Sequence, residues 1–406
     1  MADEDLRVLA ELDVGDKQIR RLCKAIGDER VAERDAAVSA YQAKPLTERK
    51  AVPEGVTAPA VAAVGVDGGR LQIFERVPRE PAAPAASEPE EAIQDDVVVP
   101  EPASAAKKPL HWREDKVGLL LTMTSDRQAT DPCPEIPASF VNPYWIPELA
   151  KQMGQRARSP AGDPPDPPPA AAPKEDEAQA EWESPEVVTK HLVATRRPWA
   201  QFGPMVAALA WSLGFFGAER RAFLGDGADT NWTLWRNHFS AFVPILDFIH
   251  ALTYVFHSAL AGRPFAEGWQ VYQRWIRWVW AGEVEQVIAE LTMRQAELGT
   301  PAADAKATSP AQLVSRALGY LQNHKDRMRY ADYRREGLPI VSSYVESAVN
   351  QFNDRVKGTE KFWREAGAEE MLQLRADYLS DDEPLTQFWQ RRQAAESGQP
   401  RYHMAV

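Results

Sequence analysis

The sequence predicts an α/β protein with a mixed sheet flanked by helices, on two observations. Two short apolar segments end in the same way, with an aspartate followed by a glycine, at Asp67 and at Asp226. Glycine allows the backbone to turn sharply, so each segment is typical of a buried strand that stops at its aspartate. From residue 247 to about residue 337, the apolar residues recur at helical spacing instead. An all-helical insertion domain is therefore expected to interrupt the sheet.

Residues 1–53 predict an N-terminal helical region, with helices at 5–12 and at about 16–42. Pro45 and Pro53 end this region, because proline cannot continue a helix.

Residues 54–246 predict the first part of the sheet domain. The sequence there alternates between short apolar segments and turn residues, which is typical of strands joined by loops and helices. The predicted elements are a strand at 61–67, a turn at Gly68 and Gly69, a continuation of the sheet at 70–76, a strand at 116–124, a buried helix at 199–216, the strand before Asp226, and a short strand at 242–246.

Proline is concentrated between residues 78 and 184, which contain 19 of the 32 prolines. Segments rich in Pro, Ala and acidic residues bury too little apolar surface to offset the entropy of ordering. Residues 78–108 and 157–183 are therefore predicted to be disordered loops, and residues 142–147 between them to be ordered.

The helical insertion domain is predicted at residues 247–337. Ten of the 13 tryptophans follow residue 186, and those at 269–280 are best explained as core residues of this part of the chain. Residues 338–366 are predicted to contain a catalytic helix that completes the sheet domain, and residues 367–406 form a C-terminal tail.

Three carboxylates are the candidate site. Asp67 and Asp226 end two strands, and Glu346 lies on a downstream helix. Carboxylate oxygens are the ligands that hard divalent cations prefer, and paired cations catalyse phosphodiester chemistry. An aspartate in a strand-exit turn can instead satisfy its own backbone. Glu346 also fits a capping box begun by Ser343, so on spacing alone a structural role and a metal-binding role are equally favoured.

The chain resembles the bacterial ISKra-type insertion-sequence transposases, which are DDE transposases related to the Mutator-like enzymes. Each matching motif alone is common, but their order and spacing, from about residue 30 to residue 390, are specific. The matching stretches are VGVDGGRLQ at 64–72, HWREDKV at 111–117, LGDGA at 224–228 with Trp232, ILDFIH at 245–250 and SSYVES at 342–347.

This resemblance implies an RNase H-like fold with Asp67, Asp226 and Glu346 as catalytic and metal-binding residues. It implies two Mg²⁺ or Mn²⁺ ions per site, strand cleavage at the ends of a mobile element, and transfer of the 3′-hydroxyl into target DNA. The implied partners are the terminal inverted repeats, the target DNA and further copies of the chain in a dimer or larger complex. Two alternatives stay open: a structure-specific nuclease with the same fold, and a catalytically idle, domesticated DNA-binding remnant.

Further residues are predicted to support the site. Asp247 and His250 lie in an apolar stretch, where a buried polar pair must find partners, so a structural role is favoured with a supporting role near the site. Trp232 follows Asp226 by six positions and is predicted to make contacts near the site.

The net charge of −12 conflicts with DNA binding, which favours basic surfaces. Residues 80–184 resolve much of this conflict, since they hold 20 acidic and 9 basic residues while the rest of the chain is nearly neutral. Basic residues on both sides of the catalytic segment are the candidates for phosphate contacts. The predicted DNA-binding residues are Arg327, Arg329, Arg334, Arg335, Lys357 and Lys361.

The chain is predicted to be a soluble protein of the bacterial cytoplasm, associated with the nucleoid. Its two cysteines, Cys23 and Cys133, are far apart and lack zinc-site spacing, and the apolar stretches are too short for a membrane span. The acidic start of the chain is unlike a signal peptide.

Overall fold

The computed structural model describes residues 15–73, 112–156, 185–341, 347, 351–352 and 362–395. The described part of the chain is an α/β structure built on one mixed sheet. Five strands follow one another in the order β3-β2-β1-β4-β5. The strands are β1 Val61–Ile73, β2 Trp112–Thr124, β3 Glu186–Thr195, β4 Arg220–Gly225 and β5 Val243–Leu246, and a two-residue strand, β6 Phe362–Trp363, pairs with the end of β1.

The sheet has an antiparallel half and a parallel half, which meet at β1. Strand β1 is antiparallel to β2, with Gly65 opposite Leu119, and β2 is antiparallel to β3. On its other side β1 is parallel to β4, with Gly65 beside Leu224, and β4 is parallel to β5. Strands β4 and β5 end beside the middle of β1, so the residues that follow them are brought close to that part of β1.

The turn that the sequence predicted at Gly68 and Gly69 is not present. Strand β1 continues through Asp67 to Ile73, and Asp67, Gly68 and Gly69 pair with Val117, Lys116 and Asp115 of β2. Neither glycine has a positive φ angle. The long β2 offers backbone partners along this whole stretch, so the glycines stay extended.

Helices cover the sheet and form the region after β5. Gly118 in the middle of β2 packs beneath α4, where an added Cβ would lie 3.1 Å from Val206 and 3.4 Å from Phe202. The helices are α1 Asp16–Ala43, α2 Leu46–Arg49, α3 Trp145–Arg156, α4 Trp199–Ser212, α5 Asp229–His238, α6 Phe248–Leu260, α7 Phe265–Ala281, α8 Val284–Leu298, α9 Pro310–His324, α10 Tyr330–Arg335, α11 Glu365–Leu379 and α12 Pro384–Ala395.

The predicted helical character of residues 247–337 is confirmed, because helices α6 to α10 fill this range. Their apolar faces build a core that contains Tyr272, Trp275 and Trp280, each almost fully buried. The tryptophans of α7 at these two positions are thus core residues, as the sequence indicated.

The segment predicted as a C-terminal tail contains two helices that pack on the rest of the protein. Helix α11 lies against α1 and the free edge of β3, where Asp381 and Ser380 just beyond it bond to the β3 backbone. Charged side chains join α1 to α11 and α12. These ion pairs are Lys24–Glu370, Arg30–Asp377, Arg34–Glu369, Arg391–Glu33 and Arg392–Glu29.

Residues 142–147 are ordered, as predicted. The Asn142 side chain accepts hydrogen bonds from the backbone of Tyr144 and Trp145, and Ile146 is buried. The predicted loops at 78–108 and 157–183 and the helix at 5–12 lie outside the described residues. None of the described helices combines the length and the apolar character that a membrane span needs.

Candidate acidic site at the ends of parallel strands

The sheet register places Asp67 and Asp226 at the same level on neighbouring strands. Gly65 of β1 lies beside Leu224 of β4, and each aspartate follows its strand partner by two residues. Strand β4 ends at Gly225, and Gly227 has a φ angle of 101°, so the sharp turn predicted after Asp226 is confirmed. The two carboxylates, 159 positions apart in sequence, therefore belong to one edge of the sheet.

Asn231 forms hydrogen bonds both to the residue after β4 and to the neighbouring part of β1. This buried residue of α5 donates from Nδ2 to Oδ1 of Asp226 at 2.8 Å, and the same nitrogen lies 3.4 Å from the carbonyl oxygen of Val66, the residue before Asp67. The backbone N–H of Ala228 also donates to Oδ1 of Asp226, at 2.9 Å. Two donors thus hold one carboxylate oxygen, and within the described part of the chain no hydrogen bond holds Oδ2.

Asp67 lies between the two parts of β1 that pair with β4 and with β6. Strand β4 pairs with residues 61–65 of β1 and β6 pairs with residues 72–73, so Asp67 falls between them. Its carboxylate accepts a 2.7 Å hydrogen bond from the backbone N–H of Gly68, and its side chain is half-buried. Asp67 within β1 and Asp226 just after β4 are both half-buried, and no described residue bonds Oδ2 of Asp226. Such a pair of carboxylates is a donor set that suits a divalent cation.

Glu346, the third predicted ligand, lies outside the described residues. Its neighbour Ser347 is helical and, with Gln351, lines a cleft over Leu119 and Leu121 of β2. Leu119 and Leu121 are opposite Gly65 and Ala63, and paired residues share a face of the sheet. Because side chains alternate along β1, Asp67 lies on that same face. Ser347 and Gln351 therefore lie over the face of the sheet that bears Asp67.

Asp247 extends the row of strand-end aspartates but has a structural role. It follows Ile245 by two residues, as Asp226 follows Leu224, and it is fully buried. Its carboxylate caps helix α6 by accepting from the backbone N–H of His250 at 2.9 Å, and Nδ1 of His250 lies 3.3 Å from the same oxygen. This is the structural pair that the sequence favoured.

Trp232 packs behind the site. The ring is buried beneath Gly225, where an added Cβ would lie 3.1 Å from it. The guanidinium of Arg327 lies 4.3 Å above the ring, and His324 packs at its side. Burial and the charge of Arg327 lower the pKa of His324, so the imidazole is neutral.

The predicted DNA-binding residues separate into four groups, of which the buried Arg334 is described below. Arg329 and Arg335 are exposed, and Arg327 is half-buried over Trp232. Lys357 and Lys361 lie outside the described residues.

The prediction that Arg334 contacts DNA is wrong. Its side chain is fully buried, forms an ion pair with Asp131 and lies flat on Trp280 at 3.9 Å. A guanidinium that is fixed in the core by a carboxylate cannot reach a phosphate.

Two residues beside the site were not predicted from the sequence. Asn231 lies five positions after Asp226, at the start of the helix that follows the strand, so its spacing carries a weak signal. Tyr320 of α9 donates from its hydroxyl to the carbonyl oxygen of Asp226 at 2.7 Å, although 94 positions separate the two residues. No local pattern marks this contact.

No group of three or more His, Cys, Asp or Glu side chains with the geometry of a metal site occurs among the residues that the structure describes. The third expected ligand is outside that part of the chain. Comparisons of the chain with protein-family models, with curated proteins and with solved structures found no match.

Proposed function

We propose that this protein is a metal-dependent DNA transposase of the DDE type. The observation that carries this proposal is the placement of Asp67 and Asp226 at one level of two adjacent parallel strands, tied together by Asn231. Together with the motifs of the sequence, this pair favours phosphodiester chemistry on DNA.

The topology of the sheet supports the same proposal. Strands β1, β2 and β3 form an antiparallel unit, and β4 and β5 add to β1 in parallel, with helices on the sheet. This arrangement is compatible with an RNase H-like fold, in which the helical insertion α6 to α10 precedes the segment that carries Glu346.

The residues have distinct roles in this proposal. Asp67 and Asp226 would hold two Mg²⁺ or Mn²⁺ ions, with Glu346 as the third ligand. When bound, such ions supply Lewis-acid activation of water for strand cleavage and of the 3′-hydroxyl for strand transfer. Asn231 and the Ala228 N–H fix one oxygen of Asp226 and leave the other available to bind a cation. DNA and further copies of the chain are the proposed partners.

The test is cleavage of DNA that carries the sequences flanking the gene, with Mg²⁺ or Mn²⁺, by wild type and by Asp67→Asn, Asp226→Asn and Glu346→Gln. Each substitution removes ligand charge with little change of shape, so each should reduce cleavage by at least roughly 100-fold, a loss of about 3 kcal/mol in transition-state stabilisation. The matched control is Asp229→Asn, which removes an exposed carboxylate three residues after Asp226.

Cleavage that survives Asp226→Asn would overturn the proposed site. Cleavage without joining of a 3′-end to target DNA would favour a nuclease over a transposase. Metal-independent DNA binding without cleavage in the wild type would favour an idle, transposase-derived DNA-binding protein.

A further inference from the structure

The turn after Asp226 is held by a tyrosine from the helical insertion. The Tyr320 hydroxyl donates to the carbonyl oxygen of Asp226 at 2.7 Å. The ring also covers Gly227, where an added Cβ would lie 2.5 Å from Cε2 of Tyr320. Tyr320 thus contacts both residues of the turn that presents the second carboxylate.

The ring of Tyr320 is itself fixed. Tyr254 of α6 stacks on it with a centroid distance of 3.8 Å and an interplanar angle of 9°, and His324 packs edge-on at 4.8 Å. A carbonyl oxygen can only accept a hydrogen bond, so the Tyr320 hydroxyl is the donor to Asp226.

The turn needs such a restraint because of its backbone. Gly227 has a φ angle of 101°, and glycine can adopt many other φ and ψ values at little cost. Rotation of the peptide between Asp226 and Gly227 would turn the Asp226 carbonyl away and shift the carboxylate relative to Asp67. The bond from Tyr320 opposes this rotation, while Asn231 holds the carboxylate from the other side.

We propose that Tyr320 is a positioning residue, through which the helical insertion fixes the Asp226 carboxylate for metal binding. The turn and its hydrogen bond are features of the fold, whereas the role in metal binding rests on the proposed function. The two parts of the proposal are tested by separate measurements.

The test compares Tyr320→Phe with Tyr254→Phe as the matched control. Both variants keep the stacked pair of rings, but only Tyr320 donates a hydrogen bond to the turn. The first measurement is amide hydrogen exchange of Ala228, whose N–H binds the Asp226 carboxylate. Exchange should accelerate roughly fivefold in Tyr320→Phe, the effect of one neutral hydrogen bond, and should be unchanged in Tyr254→Phe.

The second measurement is titration of the DNA-free protein with Mn²⁺ alone, followed by electron paramagnetic resonance of the unbound ion. Mn²⁺ should bind roughly fivefold more weakly to Tyr320→Phe than to wild type or Tyr254→Phe. Unchanged exchange in Tyr320→Phe would overturn the positioning role. Accelerated exchange in a protein that binds no Mn²⁺ would support the restraint on the turn and overturn both its role in metal binding and the proposed metal site.

Discussion

Asn231 illustrates how one buried amide can organise an acidic site. Its Nδ2 group offers two hydrogens, and the structure directs them toward the carboxylate of Asp226, just after β4, and the carbonyl of Val66 on β1. Leucine would have the right size but no donor, and aspartate would place a second negative charge beside Asp226. An amide at this position therefore gives a half-buried carboxylate oxygen a hydrogen-bond donor.

The single side chain of His238 is predicted to make the stability of the protein depend on pH. His238 is the last residue of α5, and its imidazole packs against Gly203 of α4. The Lys50 ammonium donates a hydrogen bond to the carbonyl oxygen of His238. Burial, with the charges of Lys50 and Arg49, lowers its pKa from 6.5 to about 4. The unfolded chain therefore binds a proton at a higher pH than the folded protein does, and stability is lost as the pH falls from 6.5 toward 4.

Between pH 7 and pH 5, His238 should remove about 1 kcal/mol from the free energy of unfolding, since its partial exposure reduces the full effect. The measurement is urea unfolding of wild type and of His238→Gln at both pH values. The variant should lose less stability than wild type over this interval. Equal losses would show that His238 does not carry this pH dependence.

The sequence predicted one aspartate turn correctly and the other incorrectly, for a physical reason. Asp226 is followed by Gly227 with a positive φ angle, a conformation that Asp-Gly pairs favour. Gly68 and Gly69 could have turned in the same way, but β2 pairs with them and keeps them extended. Tyr320 could not have been predicted at all, because its contact with Asp226 depends on how the insertion packs.

Among the elements, α10 is predicted to depend on the buried side chain of Arg334. Its Nε donates to Asp131 at 2.9 Å, and its guanidinium stacks on Trp280 of α7. Arg334→Ala would leave Asp131 without its buried cation, so the free energy of unfolding should fall by about 3 kcal/mol.

Arg335→Ala is the matched control, because the neighbouring arginine is exposed and its ion pair with Asp332 is a surface pair. Its effect should be below about 0.5 kcal/mol. Chemical denaturation of the three proteins provides the measurement. Similar losses for the two variants would contradict the structural role of Arg334.

Strand β3 shows which elements a sequence does not reveal. Its residues include Lys190 and His191, and no simple alternation marks them as a strand. Strand β3 pairs with β2 on one side. On its other side it bonds to Ser380 and Asp381, which are about 190 positions away in sequence. Pairing with distant segments outweighs the weak local preference here.

For the whole molecule, the proposed function and the charge distribution together predict a surface that contacts DNA. Arg327 lies over Trp232, and Arg329 and Arg335 are exposed, whereas the acidic excess of the chain lies in residues 80–184. Replacing these three arginines by alanine should weaken binding to DNA of any sequence. The slope of log K against log salt should decrease in magnitude by about 0.9 for each phosphate that the variant no longer neutralises.

The control has the same change in charge at Lys17, Arg21 and Arg391, which are exposed residues of α1 and α12. Binding is measured over a salt series, and melting curves check that each variant is folded. If the control variant lowers the slope as much as the first, DNA binds to the protein elsewhere.

The ion pairs between α1 and helices α11 and α12 limit how early α1 can pack during synthesis of the chain. Arg30 and its partner Asp377 are 347 positions apart, so a growing chain has to leave this face of α1 uncovered until residue 377 has left the ribosome. Over that time the edge of β3, which α11 later covers, is open to other chains. Helix α1 carries many charged residues, which keep the helix hydrated while its partners are not yet made. An apolar helix left uncovered for the same time would recruit chaperones or aggregate.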